Sequence, residues 1–368
     1  MDATKRLRVG VVGLVMGVEH VQAYQNLPDR FEVVAVCDLN EQKAREVAGK
    51  FQIPNFHTNL SEMCQRPDLD IIDLCTPPAL HYNQIMEVLA AGIHVICEKP
   101  LVGSLKEIDE LQQAQQQFNR LIMPIFQYRF GNGVQKLKFL QSRGLTGQTY
   151  LSTVETSWRR KAEYYAVPWR GRWKTELGGT MVSHAIHTLD MLTYILGPVK
   201  EIFARTTTRV NPIEVDDCVS LSLCMADGSV ASLSATTGST VQISRHRFCF
   251  SNLTAESNLR PYTNSGDPWT FTGDTEELTA RIEQALTEFV PLPESLTGQF
   301  YRCYEAFING QPLPVTLDDA RAALEMLTAI YYSSYTNQSV SLPIAQDHPF
   351  YGGWVSHFSP PQEAGATR

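Results

Sequence analysis

The sequence lacks three features that would each point to a particular class of protein. None of its eight cysteines forms a Cys-x-x-Cys pair or clusters at the spacing of a zinc site. No apolar run approaches the ~20 residues that span a bilayer, and the polar N-terminus has no signal-peptide pattern. The formal net charge of -8 disfavours nucleic-acid binding. We therefore expect reduced thiols, no membrane span, no nucleic-acid partner and a cytoplasmic location.

Length and hydrophobic pattern predict two domains in the 368-residue chain. Short apolar runs alternate with helix-like segments up to about residue 127, and such runs are typical of strands buried on both faces of a parallel sheet. Asn40 and Ser104 stand where helix caps are expected. The pattern indicates a doubly wound α/β domain over 1–127. The predicted strands are 7–13, 31–37, 71–75, 94–97 and 121–126, with helices at 18–26, 41–50, 80–91 and 105–118.

The pattern changes after residue 128, where strand-like segments follow one another. Asp227-Gly228 is a hairpin-type turn signal between two of them. Strands in succession favour an antiparallel sheet, so an α+β domain is predicted over 128–368, with a peripheral tail after Leu342. The predicted strands are 149–158, 202–209, 218–225, 230–235 and 248–250, with helices at 134–142, 181–196, 275–289, 294–308 and 317–333.

A glycine-containing loop follows the first predicted strand. It reads Gly13-Leu14-Val15-Met16-Gly17. Glycine at such a turn lets the backbone approach a pyrophosphate, whose charge the amides of the next helix bind. Val15 stands where the usual dinucleotide fingerprint has a glycine, and the loop is one residue shorter. The motif is therefore compatible with a dinucleotide site or with a plain glycine turn.

Asp38 ends the second predicted strand, 21 residues after Gly17. An acidic side chain there accepts hydrogen bonds from the ribose hydroxyls of NAD, whereas it repels the 2′-phosphate of NADP. The alternative is that Asp38 caps the next helix. We expect NAD in preference to NADP.

Further motifs stand at the ends of later strands. One is Thr76-Pro77-Pro78 with His81, and another is Glu98-Lys99-Pro100 after Gly92 and a short apolar run. Together with Tyr128-Arg129-Phe130, the segment 169–173, and the pair His187 and Asp190, they resemble the glucose–fructose oxidoreductase / inositol dehydrogenase / MocA family. The resemblance runs from about residue 7 to about residue 335.

The resemblance implies a fold, an activity and a set of site residues. We expect an N-terminal Rossmann domain and a C-terminal α+β domain with a large, mostly antiparallel sheet that forms homodimers or homotetramers. The implied enzyme transfers a hydride between NAD and a sugar, cyclic polyol or sugar derivative, without a metal. The implied cofactor-binding residues are Gly13, Val15, Met16, Gly17, Asp38, Thr76, Pro77, His81, Glu98 and Lys99.

Lys99 and His187 are the principal candidates for catalysis. A lysine beside the cofactor can hold the substrate oxygen, and burial lowers its pKa toward a working range. His187 lies four residues after Ser183, on one helix face. The family usually carries Asp at position 183, and serine cannot stabilise an imidazolium by its charge. The open routes are His187 acting unaided, Lys99 as the base, or His184 sharing the role.

Aromatic and guanidinium groups cluster between Trp158 and Arg170. Such groups suit sugar rings and anionic substituents, although a packed domain junction would use them too. The predicted substrate residues are Arg129, Tyr165, Trp169, Arg170, Ser183 and His187.

Two other functions fit the motifs. Some relatives cleave glycosides by transient oxidation, which leaves no net NADH. A sensor or scaffold that binds a dinucleotide or sugar would tolerate Val15 and Ser183. Two histidines at i, i+3 with Asp190 could also suggest a metal, but no further ligand is identifiable.

Overall fold

The computed structural model describes residues 5–358. Six parallel strands form the first sheet, in the order β3-β2-β1-β4-β5-β6. They are β1 (Leu7–Val12), β2 (Phe31–Cys37), β3 (Asn55–His57), β4 (Ile71–Leu74), β5 (His94–Cys97) and β6 (Ile122–Pro124). All four residues of β4 are buried, as the continuous apolar runs predict.

Helices connect these strands, which makes the first unit a doubly wound α/β domain. They are α1 (Gly17–Gln25), α2 (Glu41–Phe51), α3 (Leu60–Cys64), α4 (His81–Ala90) and α5 (Leu105–Phe118). The predicted caps are confirmed, because the Asn40 side chain accepts from the Lys43 amide and the Ser104 side chain accepts from the Glu107 amide.

The second sheet has eight strands in the order β13-β12-β11-β7-β10-β9-β8-β14. They are β7 (Thr149–Arg159), β8 (Val199–Thr207), β9 (Cys218–Met225), β10 (Val230–Thr236), β11 (Gly238–Phe250), β12 (Leu253–Glu256), β13 (Thr270–Gly273) and β14 (Val340–Ser341). Among the described pairs of this second sheet, only β7 and β10 are parallel, so the mostly antiparallel sheet is confirmed. Gly228, with φ of 86°, makes the predicted turn between β9 and β10.

Helices flank this sheet and return to the first one. They are α6 (Asn132–Ser142), α7 (Ala162–Tyr165), α8 (Trp173–Glu176), α9 (Ile186–Leu196), α10 (Glu276–Leu286), α11 (Ser295–Asn309), α12 (Leu317–Thr336) and α13 (Val355–Phe358). The ring of Phe300, in α11, stacks on Tyr24 of α1 at 4.0 Å. The single boundary between residues 127 and 128 stays a prediction, because helices beyond it pack on the first domain.

Two local predictions were wrong. The predicted strand 248–250 is the end of the longer β11, whose first half is exposed and polar and so gave no apolar signal. The tail after Leu342 was predicted to be peripheral, yet Phe350 and Trp354 are buried and the Trp354 indole donates to the carbonyl of Leu177 at 2.6 Å. These buried aromatic side chains hold the described part of the tail against the rest of the protein. The tail has too little hydrophobic periodicity for its sequence to reveal this packing. Among residues 5–358, no helix is both long and apolar enough for a membrane span.

Candidate active site

The glycine loop between β1 and α1 lies at the carboxyl edge of the first sheet, and its two glycines have no side chain to cover the backbone. Gly13 has φ of 87°, and a Cβ on it would lie 2.7 Å from the carbonyl oxygen of Cys75. A Cβ on Gly17 would lie 2.9 Å from a methyl of Val11. Val15 and Met16 are exposed at the tip of the loop. The shortened loop therefore keeps the close backbone turn that a dinucleotide pyrophosphate requires.

Asp38 lies beside this loop at the end of β2. Its carboxylate accepts from the amide of Leu14 at 2.9 Å and from the amide of Asn40 at 3.0 Å, and Lys43 lies 3.6 Å away. Two carboxylate oxygens offer about four acceptor positions, so capacity for ribose hydroxyls is left. The residues present thus fit a dinucleotide, and the role of Asp38 stays a prediction.

Thr76 and Pro77 leave β4 at the same edge, where ligands of such folds bind. The ring nitrogens of His81 lie 2.9 Å from the carbonyl oxygen of Pro100 and 2.8 Å from that of Thr76. Burial lowers the pKa of His81. Both ring nitrogens face backbone carbonyls, so His81 lies between two loops, and its predicted contact with a cofactor stays a prediction.

Glu98 faces the interior, toward a group that sequence reasoning missed. The two nitrogens of His20 lie 2.8 Å from Asp73 and 3.1 Å from Glu98, and all three side chains are buried. Tyr24 donates to the same oxygen of Asp73 at 2.8 Å. Burial opposes a charged imidazole, but Asp73 outweighs it and raises the pKa of His20. Glu98 therefore forms an ion pair with His20, and its predicted contact with a cofactor stays a prediction.

Burial raises the pKa of Glu98, but the hydrogen bond and charge of His20 outweigh it and lower that pKa to about 2. An imidazolium between two carboxylates follows. The only sequence signal for it is a histidine three residues after Gly17 in an otherwise ordinary helix. We call His20, Asp73 and Glu98 the buried triad.

Lys99 connects the two domains. Its ammonium donates to the main-chain carbonyl of Ser183 at 2.8 Å. Burial lowers the pKa of Lys99, Glu98 and Glu176 oppose that effect, and Arg170 adds to it. The lysine therefore lies beside the helical segment that carries the predicted histidines, and its catalytic role stays a prediction.

His187 follows Ser183 by one helical turn, after a π-helical turn over Met181–Ala185. Its ring is 6% exposed and stacks on Tyr128 at 4.6 Å. Its Nδ1 has no hydrogen-bond partner among the residues that the structure describes. Burial and the charge of Lys99 lower the pKa of His187 to about 3, so the imidazole is neutral.

His184 contacts a different set of neighbours. Its ring lies 5.1 Å from Trp158 and 5.6 Å from Tyr164. Burial, followed by the charges of Arg160, Lys99 and Arg170, lowers its pKa well below the ordinary value. Its lowered pKa makes His184 a poor proton acceptor, and the share in catalysis predicted for it stays a prediction.

Ser183 donates its hydroxyl to Glu176 at 2.6 Å. Glu176 is 1% exposed, also accepts from the amide of Gly171 at 2.5 Å, and lies 3.6 Å from Arg170. Burial raises the pKa of Glu176, against the effects of these three partners. Sequence reasoning missed Glu176 because nothing in its local pattern says where its carboxylate points.

The predicted substrate residues from the 158–170 region lie next to this group. The Arg170 guanidinium packs 3.9 Å from the ring centre of Tyr164 and 4.4 Å from that of Trp169. Tyr165 is partly buried, and burial raises its pKa. Arg170 therefore lies beside Glu176, which is two hydrogen bonds away from Lys99, and Trp169 packs on Arg170.

Arg129 was predicted as a substrate residue, but the structure gives it another task. The guanidinium is buried and donates twice to Asp190, at 2.9 and 2.6 Å, and once to Asp319 at 2.8 Å. These two carboxylates thus accept hydrogen bonds from all three nitrogens of the guanidinium. Arg129 ties α9 to α12, and Asp190 is turned to this ion pair instead of joining the histidines in a metal site.

Two family models match the chain. The model described as "Oxidoreductase family, NAD-binding Rossmann fold" matches residues 7–126, and "GFO/IDH/MocA C-terminal domain" matches residues 134–251. An uncharacterized oxidoreductase of Synechocystis is 27% identical over 62% of this chain and 64% of its own length. The D-glucoside 3-dehydrogenase of Escherichia coli is 28% identical over 55% of this chain and 58% of its own length. The chain thus matches less than two thirds of these relatives' length.

Solved structures show the same fold over most of the chain. A levoglucosan dehydrogenase in complex with NADH and levoglucosan has a TM-score of 0.79 at 21% identity, over 92% of this chain and 100% of that one. The WlbA dehydrogenase of Bordetella pertussis, in complex with NADH and UDP-GlcNAcA, has a TM-score of 0.79 at 23% identity, over 93% and 100%. The predicted fold class is confirmed.

Proposed function

Because this chain belongs to the glucose–fructose oxidoreductase / inositol dehydrogenase / MocA oxidoreductases, we propose that it oxidises or reduces a carbinol or carbonyl carbon of a sugar, cyclic polyol or sugar derivative with NAD. The observation that supports the proposal most directly is the contact of Lys99 with Ser183, one turn before His187. It brings a lysine of the first domain against the helical segment that carries His187 in the second.

The residues that would hold NAD lie at one edge of the first sheet. In our proposal, Gly13, Val15, Met16 and Gly17 receive the pyrophosphate, and Asp38 accepts from the ribose hydroxyls. Thr76 and Pro77 line the edge beyond them. Bound NAD would supply the acceptor for the hydride that leaves the carbinol carbon.

The protein supplies the acceptor for the proton. Oxidation of a carbinol removes a hydride from carbon and a proton from its hydroxyl, which leaves a carbonyl group. We assign the proton to the Lys99 amine, because the lowered pKa of His187, at about 3, disfavours its imidazolium. Burial lowers the pKa of Lys99, which allows its neutral form to act as the base.

His187 then acts as a neutral group. Stacking on Tyr128 holds its ring in place. Its unpaired Nδ1 gives it unused hydrogen-bonding capacity, which we propose serves the substrate. Ser183 contributes its main-chain carbonyl oxygen, which accepts a hydrogen bond from Lys99.

The wall of the substrate pocket is assigned to aromatic and guanidinium groups. Trp169 and Tyr165 offer apolar ring faces of the kind that pack on sugars, and Arg170 offers donors for hydroxyl or anionic groups. The substrates for which two relatives are named, a D-glucoside and levoglucosan, support a sugar or polyol as the substrate of this chain.

The open face of the second sheet is our candidate for self-association. Side chains along β9 and β10 alternate between buried and exposed, and the exposed positions include Ser220, Ser222, Ser232 and Ser234. We propose a homodimer or homotetramer through this face, which sedimentation of the protein and of a Ser222→Arg/Ser234→Arg variant would test.

All eight cysteines are free, which supports a cytoplasmic location.

A fluorescence titration with NADH and NADPH tests the nucleotide assignment. Micromolar binding of NADH with weaker binding of NADPH is expected, because Asp38 repels a 2′-phosphate. In Asp38→Ser the difference between the two should shrink. Preference for NADPH would contradict the role of Asp38, and failure of both to bind would contradict the proposed function itself.

A further inference from the structure

Glu176 is a buried carboxylate that none of the motifs explains. It is 1% exposed, in the last turn of α8, just before the Gly178-Gly179 pair. Removing a carboxylate from water is costly unless hydrogen bonds or charges compensate. Here Ser183 and the amide of Gly171 each donate to one oxygen, and Arg170 lies 3.6 Å away.

Ser183 is the residue that joins Glu176 to Lys99. Its hydroxyl donates to Glu176 at 2.6 Å, and its carbonyl accepts from the Lys99 ammonium at 2.8 Å. A residue with a carboxylate of its own at position 183 would place negative charge directly beside Lys99. In this chain the side chain is a hydroxyl, and the nearby charge comes from a different segment.

We infer that Glu176 is a positioning residue for the reaction of Lys99: through Ser183 it supplies the negative charge that stabilises the ammonium formed when Lys99 takes the substrate proton. The inference rests on the proposed function for the reaction itself. Glu176 contacts no reacting atom in this account, and acts by charge and by holding the carbonyl of Ser183 in place.

The direction of the effect follows from the charges. A negative charge favours the protonated form of a nearby lysine, and indeed Glu176 opposes the lowering of the Lys99 pKa by burial. The substitution Glu176→Gln keeps the size of the side chain and one oxygen acceptor, but it removes the negative charge. The pKa of Lys99 should then fall, which moves the limb of the pH–rate profile that Lys99 governs to lower pH.

The test moves the carboxylate from one position to the other. We expect Glu176→Gln to lower kcat by about 3- to 10-fold with little change in KM, and to shift the Lys99 limb by about half to one pH unit. The double variant Glu176→Gln/Ser183→Asp restores a carboxylate beside Lys99 and should recover most of the lost kcat. Glu163→Gln, an exposed neighbour on α7, is the matched control and should leave kcat unchanged.

A merely structural Glu176 would give a different pattern. Lower kcat with an unshifted pH limb and no recovery in the double variant would overturn the inference, as would an unchanged kcat in Glu176→Gln. Should Glu176→Gln not fold, Ser183→Ala removes the same connection from the other side and should shift the same limb; an unshifted limb there would also overturn the inference.

A measurement on the ligand-free protein separates this inference from the proposed function. The pKa of Lys99, measured by NMR after ¹³C-methylation of lysines and assigned with Lys99→Arg, should be lower in Glu176→Gln than in the unmodified chain. An unchanged pKa would overturn the inference even where turnover is established. A lowered pKa without turnover of any sugar would support it while the proposed function fails.

Discussion

Two buried carboxylates influence Lys99, and they differ in how they are held. Glu98 belongs to the buried triad, where the ring of His20 lies between it and Asp73 within one domain. Glu176 lies in a connecting segment, and its partners are a serine hydroxyl, one amide and Arg170. The imidazolium of the triad contacts both of its carboxylates, so we expect the triad chiefly to affect the stability of the fold. The group around Glu176 contacts Lys99 through Ser183 and also contacts Arg170 of the proposed pocket wall, and we propose that it serves the reaction.

Removing the lysine that both carboxylates influence should have the largest effect. Lys99→Ala lacks the proposed base, so kcat should fall by at least about 10³-fold. Affinity for NADH should change little, because the glycine loop and Asp38 are untouched. The measurement is steady-state turnover together with NADH titration. The control is Lys106→Ala, an exposed lysine on α5; substantial turnover in Lys99→Ala would remove Lys99 from the mechanism.

Breaking the triad should chiefly affect stability. In His20→Leu, Asp73 and Glu98 stay buried without their shared partner, so the free energy of unfolding should fall by about 3 kcal/mol. Urea denaturation measures this change. His57→Gln, whose ring contacts Glu62 only at 3.9 Å, is the control and should change stability little. A loss below about 0.5 kcal/mol in His20→Leu would mean that the triad does not stabilise the fold.

The histidine on the reaction side should matter for turnover and not for stability. His187→Gln keeps a polar side chain but loses the imidazole, and kcat should fall by about 10- to 50-fold. The free energy of unfolding should stay within about 1 kcal/mol of the original. Steady-state kinetics and urea denaturation give the two values, with His357→Gln on α13 as control. An unchanged kcat would show that His187 only packs against Tyr128.

The smallest expected effect is the pH dependence of the triad. The pKa of Glu98 is lowered in the fold from 4.5 to about 2, so its stabilisation is present above pH 4.5 and lost as pH falls toward 2. The pKa of His20 is raised, so its stabilisation is present below 6.5 and lost as pH rises through the folded-state value. The stability difference between the unmodified chain and His20→Leu should therefore be largest between pH 4.5 and 6.5. At pH 3 it should be smaller by about 1 kcal/mol; a flat difference would contradict the charged triad.

Sequence reasoning found the parts that local pattern specifies. The apolar run of β4, the turn at Gly228 and the cap at Asn40 each depend on residues a few positions apart. Lys99 and the glycine loop were found for the same reason, since each stands in a short motif at a strand end.

The missed residues act over long separations. His20 meets Asp73 and Glu98 from positions 53 and 78 residues away, which no local pattern encodes. Arg129 was assigned to the substrate because a guanidinium in a motif suits a ligand, yet Asp190 and Asp319 satisfy it. The role of Glu176 depends on the turn that brings α8 against Ser183, which only the fold reveals.

The most direct test of the account follows the absorbance of NADH at 340 nm while the protein, NAD⁺ and a panel of glucosides, anhydrosugars and inositols are incubated together. We expect at least one member to yield NADH, with one carbonyl product formed for each NADH, and we expect Lys99→Ala to abolish this signal. No NADH with any member, or equal formation in Lys99→Ala, would contradict it.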